Sequence, residues 1–500
     1  MEIITSVLYG FKVALTPSNL FLCFIGALGG TIVGVLPGLG PVGAISLLLP
    51  VTFAISPTGA LIVLAGIYYG AQYGGSITSI LLRVPGEATT IVTCLDGYEM
   101  AKKGRAGSAL GISAFGSFIA GTLATCGIIL FAFPLTSFAL KFGPPEYFSL
   151  ICMGLVMLTY LAKGSMLKGL IMAILGIFVS TIGLDPMTSR ARFTFGSVGL
   201  MEGVGLIPVA MGLFGIAEIL TSLEVQEIKD VLKTKFLECF PTLQDWKDSK
   251  WPIIRGTTLG FFLGILPGGG ALISSFASYA VEKKLSRHPD KFGTGVIEGV
   301  AGPESANNAG AQASFIPLLT LGIPTNVVCA IFLGALMIHG VVPGPLLIKE
   351  KPDLFWGLVT SMYIGNIILL ILNLPLIPLW VKILSIPKVI LFPIIMILCM
   401  IGVYSANNSV LDMFLMVFFG GLGYIIKHFD YEPAPFILAI VLGPIFEESL
   451  RKSLISFRGD FSVFFTRPIS LFFIIVAILL IILPLTPFGK RKRQMLSEAG

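Results

Sequence analysis

Long apolar runs recur along the chain, separated by stretches rich in glycine, proline, serine, threonine and asparagine. The runs are Leu20 to Leu36, Ala106 to Phe133, Tyr147 to Leu161, Leu167 to Leu184, Val198 to Leu220, Phe355 to Leu379, Val389 to Val403, Leu411 to Ile426 and Ile469 to Leu485. A bilayer core takes about 20 helical residues, so the pattern predicts an all-α polytopic membrane protein with about 10–12 transmembrane helices plus re-entrant or broken ones. The interruptions carry the information. GPESANNAGAQASFIPLLTLGIPTN, Gly302 to Asn326, holds three prolines, two adjacent asparagines, a glutamine and a glutamate. Such backbone cannot face lipid, where each unpaired amide or carbonyl costs several kcal/mol; it must be shielded by protein or line a wet cavity.

The interruptions repeat. GVLPGLG at Gly34 to Gly40 returns as GILPGGG at Gly264 to Gly270, 230 positions on. GAQ at Gly70 to Gln72 returns at Gly310 to Gln312, 240 on, and VPG around Pro85 matches IPT around Pro324, 239 on. Three anchors in one order predict a duplication. The basic segment KKLSRHPDK follows the second LPG motif, whereas its first-half counterpart is uncharged; KKGR follows the VPG element, whereas MIHGVVPGPL in the second half has only a histidine. Basic loops lie in the cytoplasm, so equivalent loops are expected on opposite sides, the mark of an inverted-topology repeat found in many secondary transporters. The expected divisions are a first repeat over 1–223, a charged cytoplasmic linker over 224–250 with six acidic and five basic residues, and a second repeat with extra C-terminal helices over 251–500.

Composition agrees: the chain is 55% hydrophobic and 12% charged, against roughly 25% charged in a soluble domain. The net charge of +6 is assigned to cytoplasmic loops, KKGR at 102–105, RAR at 190–192 and KRKR at 490–493, which places the C-terminus inside and removes any need for a nucleic-acid partner. Met1 to Ser18 carries no cleavable leader pattern, so the first span is expected to act as its own insertion signal. The seven cysteines form no CxxC pair and are read as packing residues. His288, His339 and His428 have no metal-ligand spacing and are expected at interfaces.

Paired interruptions point to a transport site at mid-membrane, because a helix that starts inside the bilayer turns unpaired N–H groups and the positive end of its dipole toward an anion. Ser305 to Asn308 are expected to start one such helix, Thr325 and Asn326 to cap the next, VVCAIFLGALMI, and Gly86 to Thr90 to precede IVTCLDGYEM likewise. The candidate substrate ligands are Ser76, Thr78, Arg83, Gly86, Thr89, Thr90, Asn307, Asn308, Gln312, Thr325 and Asn326; the candidate hinge or coupling-ion positions are Gly38, Gly40, Gly268, Gly270 and Glu304. No cofactor is expected beyond a coupling Na+ or H+ whose ligands the sequence does not divide from those of the cargo. The LPG motifs have a plainer reading as packing kinks. Glu87, Asp96, Glu298 and Glu304 are functional suspects as intramembrane charges. For Glu304 the alternative is a helix N-terminal carboxylate on nearby amides, and for Asp96 and Glu99 a cytoplasmic helix end, which is favoured. Arg83 suits a substrate carboxylate, Glu87 or a cytoplasmic flank equally.

GVLPGLGP, YYGAQYGGSITSILLRVPGEATT, LDGYEMAKKGRAG, GILPGGG and GPESANNAGAQASFIPLLTLGIPTN resemble, in order and spacing, the large membrane subunit of the tripartite tricarboxylate transporters. The resemblance implies a bacterial inner-membrane secondary transporter that takes up a carboxylate on an ion gradient. Its implied partners are a small four-helix membrane subunit and a periplasmic solute-binding protein. It carries over to the LPG glycines, Gly74 to Thr78, the GEATT run, Asp96 to Tyr98, Asn307, Asn308 and Thr325. Two departures stand out: asparagine is commoner in that pattern than Arg83, and glycine or another small residue than Asn326, and both are read as tuning substrate choice. An elevator or rocking motion follows only by analogy. An intramembrane enzyme finds no protease-like Asp pair and no HExxH here. A stand-alone anion carrier or channel without a binding protein is the alternative.

Overall fold

A computed structural model of the chain describes residues 2–36, 40–161, 165–224, 236–268, 270–384 and 388–482. The described residues are helical apart from turns and one hairpin, Gly183–Leu184 (β1) paired antiparallel with Ala191–Arg192 (β2). The first half holds Glu2–Ala14 (α1), Pro17–Val35 (α2), Gly40–Leu48 (α3), Pro57–Leu82 (α4), Ile91–Met100 (α5), Ala106–Ala139 (α6), Pro144–Leu161 (α7), Met166–Ser180 (α8) and Leu206–Glu224 (α9). The second holds Leu243–Ile265 (α10), Gly270–Leu285 (α11), Glu298–Ala313 (α12), Phe315–Leu321 (α13), Val327–Ile338 (α14) and Pro352–Asn373 (α15). Ile377–Leu384 (α16), Lys388–Asn407 (α17), Val410–His428 (α18), Ala434–Ser456 (α19) and Pro468–Ile482 (α20) follow. Among the described residues five helices are long and apolar enough to cross a bilayer, and shorter apolar helices stand between them. The fold class is therefore the all-α polytopic membrane protein that the runs predict.

Local chemistry sets the ends. Pro57 occupies the first turn of α4, where its missing N–H costs nothing, and Ser56 Oγ accepts the Gly59 N–H at 3.2 Å. A reciprocal capping box between Thr242 and Asp245 opens α10. Gly104, at φ 78°, breaks the helical path between α5 and α6.

Two glycine ladders bind the centre. On α2, a Cβ at Gly26, Gly30 or Gly34 would run into the carbonyls of Val63, Ile67 and Ala71 on α4. On α10, a Cβ at Gly256, Gly260 or Gly264 would do the same to Gly302, Ala306 and Gly310 on α12. Each pair rises together along both helices, so α2 runs parallel to α4 and α10 to α12, with backbones touching. The second ladder lies 230 positions on for one partner and 239 for the other. That spacing corrects one anchor: the GAQ match, at 240, is one residue out of the register in which the backbones pair.

Other expectations shift as well. Ser305 to Asn308 do not start a helix; they lie inside α12, which begins at Glu298 and carries Pro303 within it. Leu243 to Lys250, expected in the linker, already belong to α10, and residues 225–235 lie outside the described residues, as does KRKR. RAR lies at the end of α8 opposite Lys168. Lys168 at the start of α8 bonds the Phe429 carbonyl just before α19 (2.7 Å), while Asp185 and Arg192 beyond its end meet Arg451 and Glu447 late in α19. There the charges are matched: Asp185 to Arg451 at 2.8 Å, Arg192 to Glu447 at 2.8 Å, and Arg451 to Glu447 at 2.9 Å. Of the two arginines of RAR, Arg192 serves this cluster.

Gly30→Leu and Gly260→Leu are expected to destabilise by roughly 1–3 kcal/mol or more through overpacking, whereas Gly29→Leu, which meets open space, should change little; thermal midpoints in detergent read both. The Arg451 guanidinium holds the Asp185 carboxyl below the usual carboxylate range. A depressed folded value gives stability that is complete above about pH 4 and lost as pH falls below it. Protection of the 183–192 hairpin against hydrogen exchange, taken relative to the intrinsic rate at each pH, should therefore fall in acid, and Arg451→Met should weaken that pH response while the Met187 and Thr188 amides retain part of it.

Candidate functional site

The chain turns back on itself at the end of α4. Arg83 adopts the left-handed conformation (φ 58°), and the following segment returns along the helix until Gly86 packs on Gly75 and Gly34. Gly75 lies seven residues before Leu82, so the return is about 10 Å, and α5 begins well inside the protein. Gly322 ends α13 in the same conformation (φ 70°), 239 positions later, and the chain returns to start α14. The LPG segments do this from the other direction. Gly40 (φ 56°) and Gly270 (φ 51°), 230 positions apart, begin α3 and α11 with backbone angles that only glycine adopts freely.

These four interior helix starts surround one cavity of about 420 Å³. Gly40 to Val42 begin α3, Gly86 to Thr89 lead into α5, Gly268 with Gly270 to Leu272 open α11, and Asn326 to Val328 open α14. Tyr68, Leu158, Phe214, Glu218, Glu432 and Ala434 complete the wall. Among the described lining residues there is no lysine, arginine or histidine. Glu218 pairs with Lys427. Glu87 accepts from the Thr89 hydroxyl and has no ion-pair partner among the described residues.

The facing caps correspond. Asn326 caps α14 as expected: its Oδ1 accepts the Cys329 N–H at 2.9 Å and its Nδ2 donates to the Tyr68 hydroxyl at 3.3 Å. Glu87, 239 positions earlier, holds the same place before α5, and the carboxamide of Asn307, the counterpart of Tyr68, approaches it without closing a hydrogen bond.

Of the nominated residues, Gly40, Gly86, Thr89, Gly268, Gly270 and Asn326 line the cavity. Thr325 stands directly behind, its carbonyl accepting the Gly268 N–H at 2.7 Å. Thr78 bonds the Val35 carbonyl at the end of α2 (2.9 Å), and Thr90 receives the Ser79 hydroxyl (2.8 Å). Gly38 lies outside the described residues. Arg83 is apart from the rest, exposed and 5.9 Å from the Tyr98 ring. Ser76, Glu304, Asn308 and Gln312 build a different feature, a buried polar seam. Glu304 accepts from Ser76 (2.5 Å), Ser113 (3.2 Å) and Thr93; Asn308 donates to Ser117 (2.7 Å); Gln312 accepts from Thr125 (2.5 Å) and donates to Asn366 (3.1 Å). Glu304 is thus neither at a helix start nor on backbone amides.

Asp96 is no snorkelling helix end. It is fully buried and accepts the N–H groups of Gly293 (2.9 Å), Gly295 (2.8 Å) and Val296 (2.9 Å) and the Tyr279 hydroxyl (2.8 Å), tying α5 to the loop before α12. Glu99 pairs with Lys102 as a surface end would.

A model of the tripartite tricarboxylate transporter TctA family matches residues 20–438, a span that contains all four interior helix starts. The chain belongs to the TctA family. It is 50% identical over 494 residues, 99% of this chain and 98% of the relative, to an uncharacterized 52.8 kDa protein in the TAR-I ttuC' 3' region of Agrobacterium vitis. A second uncharacterized protein of Agrobacterium vitis, in the TAR-II ttuC' 3' region, is 54% identical over 235 residues, 47% of this chain and 97% of that relative. No solved structure matches the chain. Membership makes this TctA chain a component of a tripartite transporter.

Sequence reasoning missed Tyr68 and the hydroxyls of Thr93 and Ser113. A signal existed: α4 is buried on every face from Thr58 to Leu82, yet carries Tyr68, Tyr69, Gln72 and Tyr73 at i, i+1, i+4 and i+5 spacing. Asn326→Ala should cost about 1 kcal/mol by removing the α14 cap, whereas Asn326→Ser should retain most of it; thermal unfolding of the purified protein checks the pair.

Proposed function

We propose that this TctA chain forms the translocation pathway of an ion-gradient-driven carboxylate importer of the bacterial inner membrane. A periplasmic solute-binding protein delivers the cargo, and a small four-helix membrane subunit completes the assembly. The supporting observation is the convergence of four helix starts on one cavity without a cationic side chain. Each start carries about half a positive charge, so together they offset roughly two negative charges, shared between a bound anion and the Glu87 carboxyl in the same wall, while imposing no buried lysine. A space of this size accommodates a tricarboxylate or a related small acid.

The two parallel helix pairs, repeated at 230 and 239 positions, favour two structurally equivalent halves over 1–223 and 251–500. We place them in opposite orientations, with the linker and the C-terminus in the cytoplasm, because the basic loops KKGR and KKLSRHPDK alternate between equivalent positions. In this arrangement one bundle of broken helices moves against the rest to expose the cavity alternately. Chemistry on the cargo has no part in this reading.

Uptake of labelled carboxylate into proteoliposomes holding the complete complex tests the assignment. Saturable uptake that needs both an imposed cation gradient and the binding protein is expected. Saturation without the binding protein would favour a stand-alone carrier, and non-saturating conductance a channel. The sign of the site is tested separately. Asn326→Asp preserves a capping oxygen but adds a negative charge to the cavity wall. It should raise the KM for the carboxylate about tenfold or more, the order expected for a charge added at close range, with little change in thermal stability.

A further inference from the structure

A second, smaller space lies between α4, α6 and α15, with a volume of about 10 Å³, close to one water-sized sphere. Its polar lining comes from Tyr73 and Ser76 of α4, Ser113 of α6 and Asn373 at the end of α15. Tyr73 and Asn373 are each 3% exposed. Among the described residues the Tyr73 hydroxyl and Asn373 Oδ1 make no hydrogen bond, although Asn373 Nδ2 is held by the Leu369 carbonyl at 2.8 Å. That bond fixes the carboxamide and leaves its oxygen free. The two serine hydroxyls converge on a single atom, Glu304 Oε2, at 2.5 and 3.2 Å, while the Thr93 hydroxyl holds the other carboxylate oxygen.

We propose that this chamber binds one dehydrated monovalent cation, sodium, with Glu304 as its counter-charge. Glu304 is 1% exposed, and no lysine or arginine contacts it among the described residues. Hydroxyl donors satisfy the hydrogen bonds of a buried carboxylate but not its charge, and an unpaired charge in a membrane interior is costly. A single cation in the chamber, separated from Glu304 by the two serine hydroxyls that hold it, offsets that charge and gives the free oxygens of Tyr73 and Asn373 a partner. The donors are all hard oxygens, which excludes a thiolate- or imidazole-seeking metal, and one carboxylate is too few for a divalent ion stripped of water. The volume leaves no room for a hydrated ion.

The chamber shares α4 with the cavity and reaches α5 through Glu304. Glu304 grips Thr93 on α5, whose start forms part of the cavity wall, and Ser76 adjoins Gly75, against which Gly86 packs. A bound cation therefore fixes the helix start presented to the anion. Only this coupling clause rests on the transporter reading; binding itself does not.

The test is thermal unfolding of the purified full-length protein titrated with sodium chloride, against potassium chloride and choline chloride at equal ionic strength. Sodium alone should raise the midpoint saturably, and Tyr73→Phe, which deletes one oxygen, should weaken its apparent affinity at least tenfold, as should Asn373→Ala. Equal responses to all three salts overturn the site, as does a sodium response unchanged in both variants. Stabilisation by acid alone also overturns it, since a proton on Glu304 then removes the charge. Should sodium bind and the variants weaken it while uptake ignores sodium, the site stands and its coupling to transport fails.

Discussion

A helix that ends within a bilayer leaves backbone groups that no water can satisfy, and the centre of this protein depends on how those groups find each other. The carbonyl ends are closed internally: the Thr78 hydroxyl takes the Val35 carbonyl at 2.9 Å, and the Gly322 and Ile323 N–H groups take those of Leu318 and Pro317 at 3.1 and 3.3 Å. The amide ends turn toward a common space. Such closure needs backbones closer than side chains normally allow, which is what the glycines at 26, 30 and 34 and at 256, 260 and 264 permit. Packing and site are therefore one problem: a ladder too wide by a methyl group would separate the helix ends that build the cavity.

The two halves meet this demand with different side chains. Positions 239 apart pair Tyr68 with Asn307, Tyr69 with Asn308 and Tyr73 with Gln312. Where α4 has aromatic hydroxyls, α12 has carboxamides, and Ala65 faces the counterpart position of Glu304. Among the described residues the polar seam consequently forms once, where α12 meets α4, α5, α6 and α15. Fully bonded members such as Asn308 Nδ2 and Gln312 fix the register of α12 against α6, since a shift of one turn would strand several buried groups at once. An equivalent fold in each half thus yields a cavity with two-fold character beside a polar seam with none.

Residues whose role is local could be read in the sequence. Asn326 before an unbroken apolar dozen announces a cap, and α14 runs from Val327 to Ile338 accordingly. LPG and VPG report positions where the chain must turn, and the turns at Gly40, Gly86, Gly268 and Gly270 do meet. What escaped was long-range. Nothing near Asp96 reveals that amides two hundred residues later will surround it, so it read as a surface end. Ser305 to Asn308 looked like a helix start because polar residues favour caps; inside α12 only Asn308 Nδ2 is bonded, to Ser117 and the Glu304 carbonyl, while the Asn307 carboxamide is left facing Glu87. The GAQ repeat misled by one residue because composition matched where the backbone register did not.

The two departures from the family pattern separate on the same grounds. Position 83 ends α4 in the left-handed region, which glycine and asparagine tolerate and which costs another residue roughly 1–2 kcal/mol. Gly322, at the counterpart position, adopts the same conformation without that cost. The Arg83 guanidinium over the Tyr98 ring, at 5.9 Å, returns about 0.5–1 kcal/mol at an exposed site, so much of the strain is met without any ligand. Asn326 differs. Its side chain both caps α14 and stands in the cavity wall against Tyr68, where a glycine would leave the wall open and the helix less well capped. Position 326 therefore shapes the cavity wall, whereas Arg83 stands exposed beside Tyr98 and apart from it.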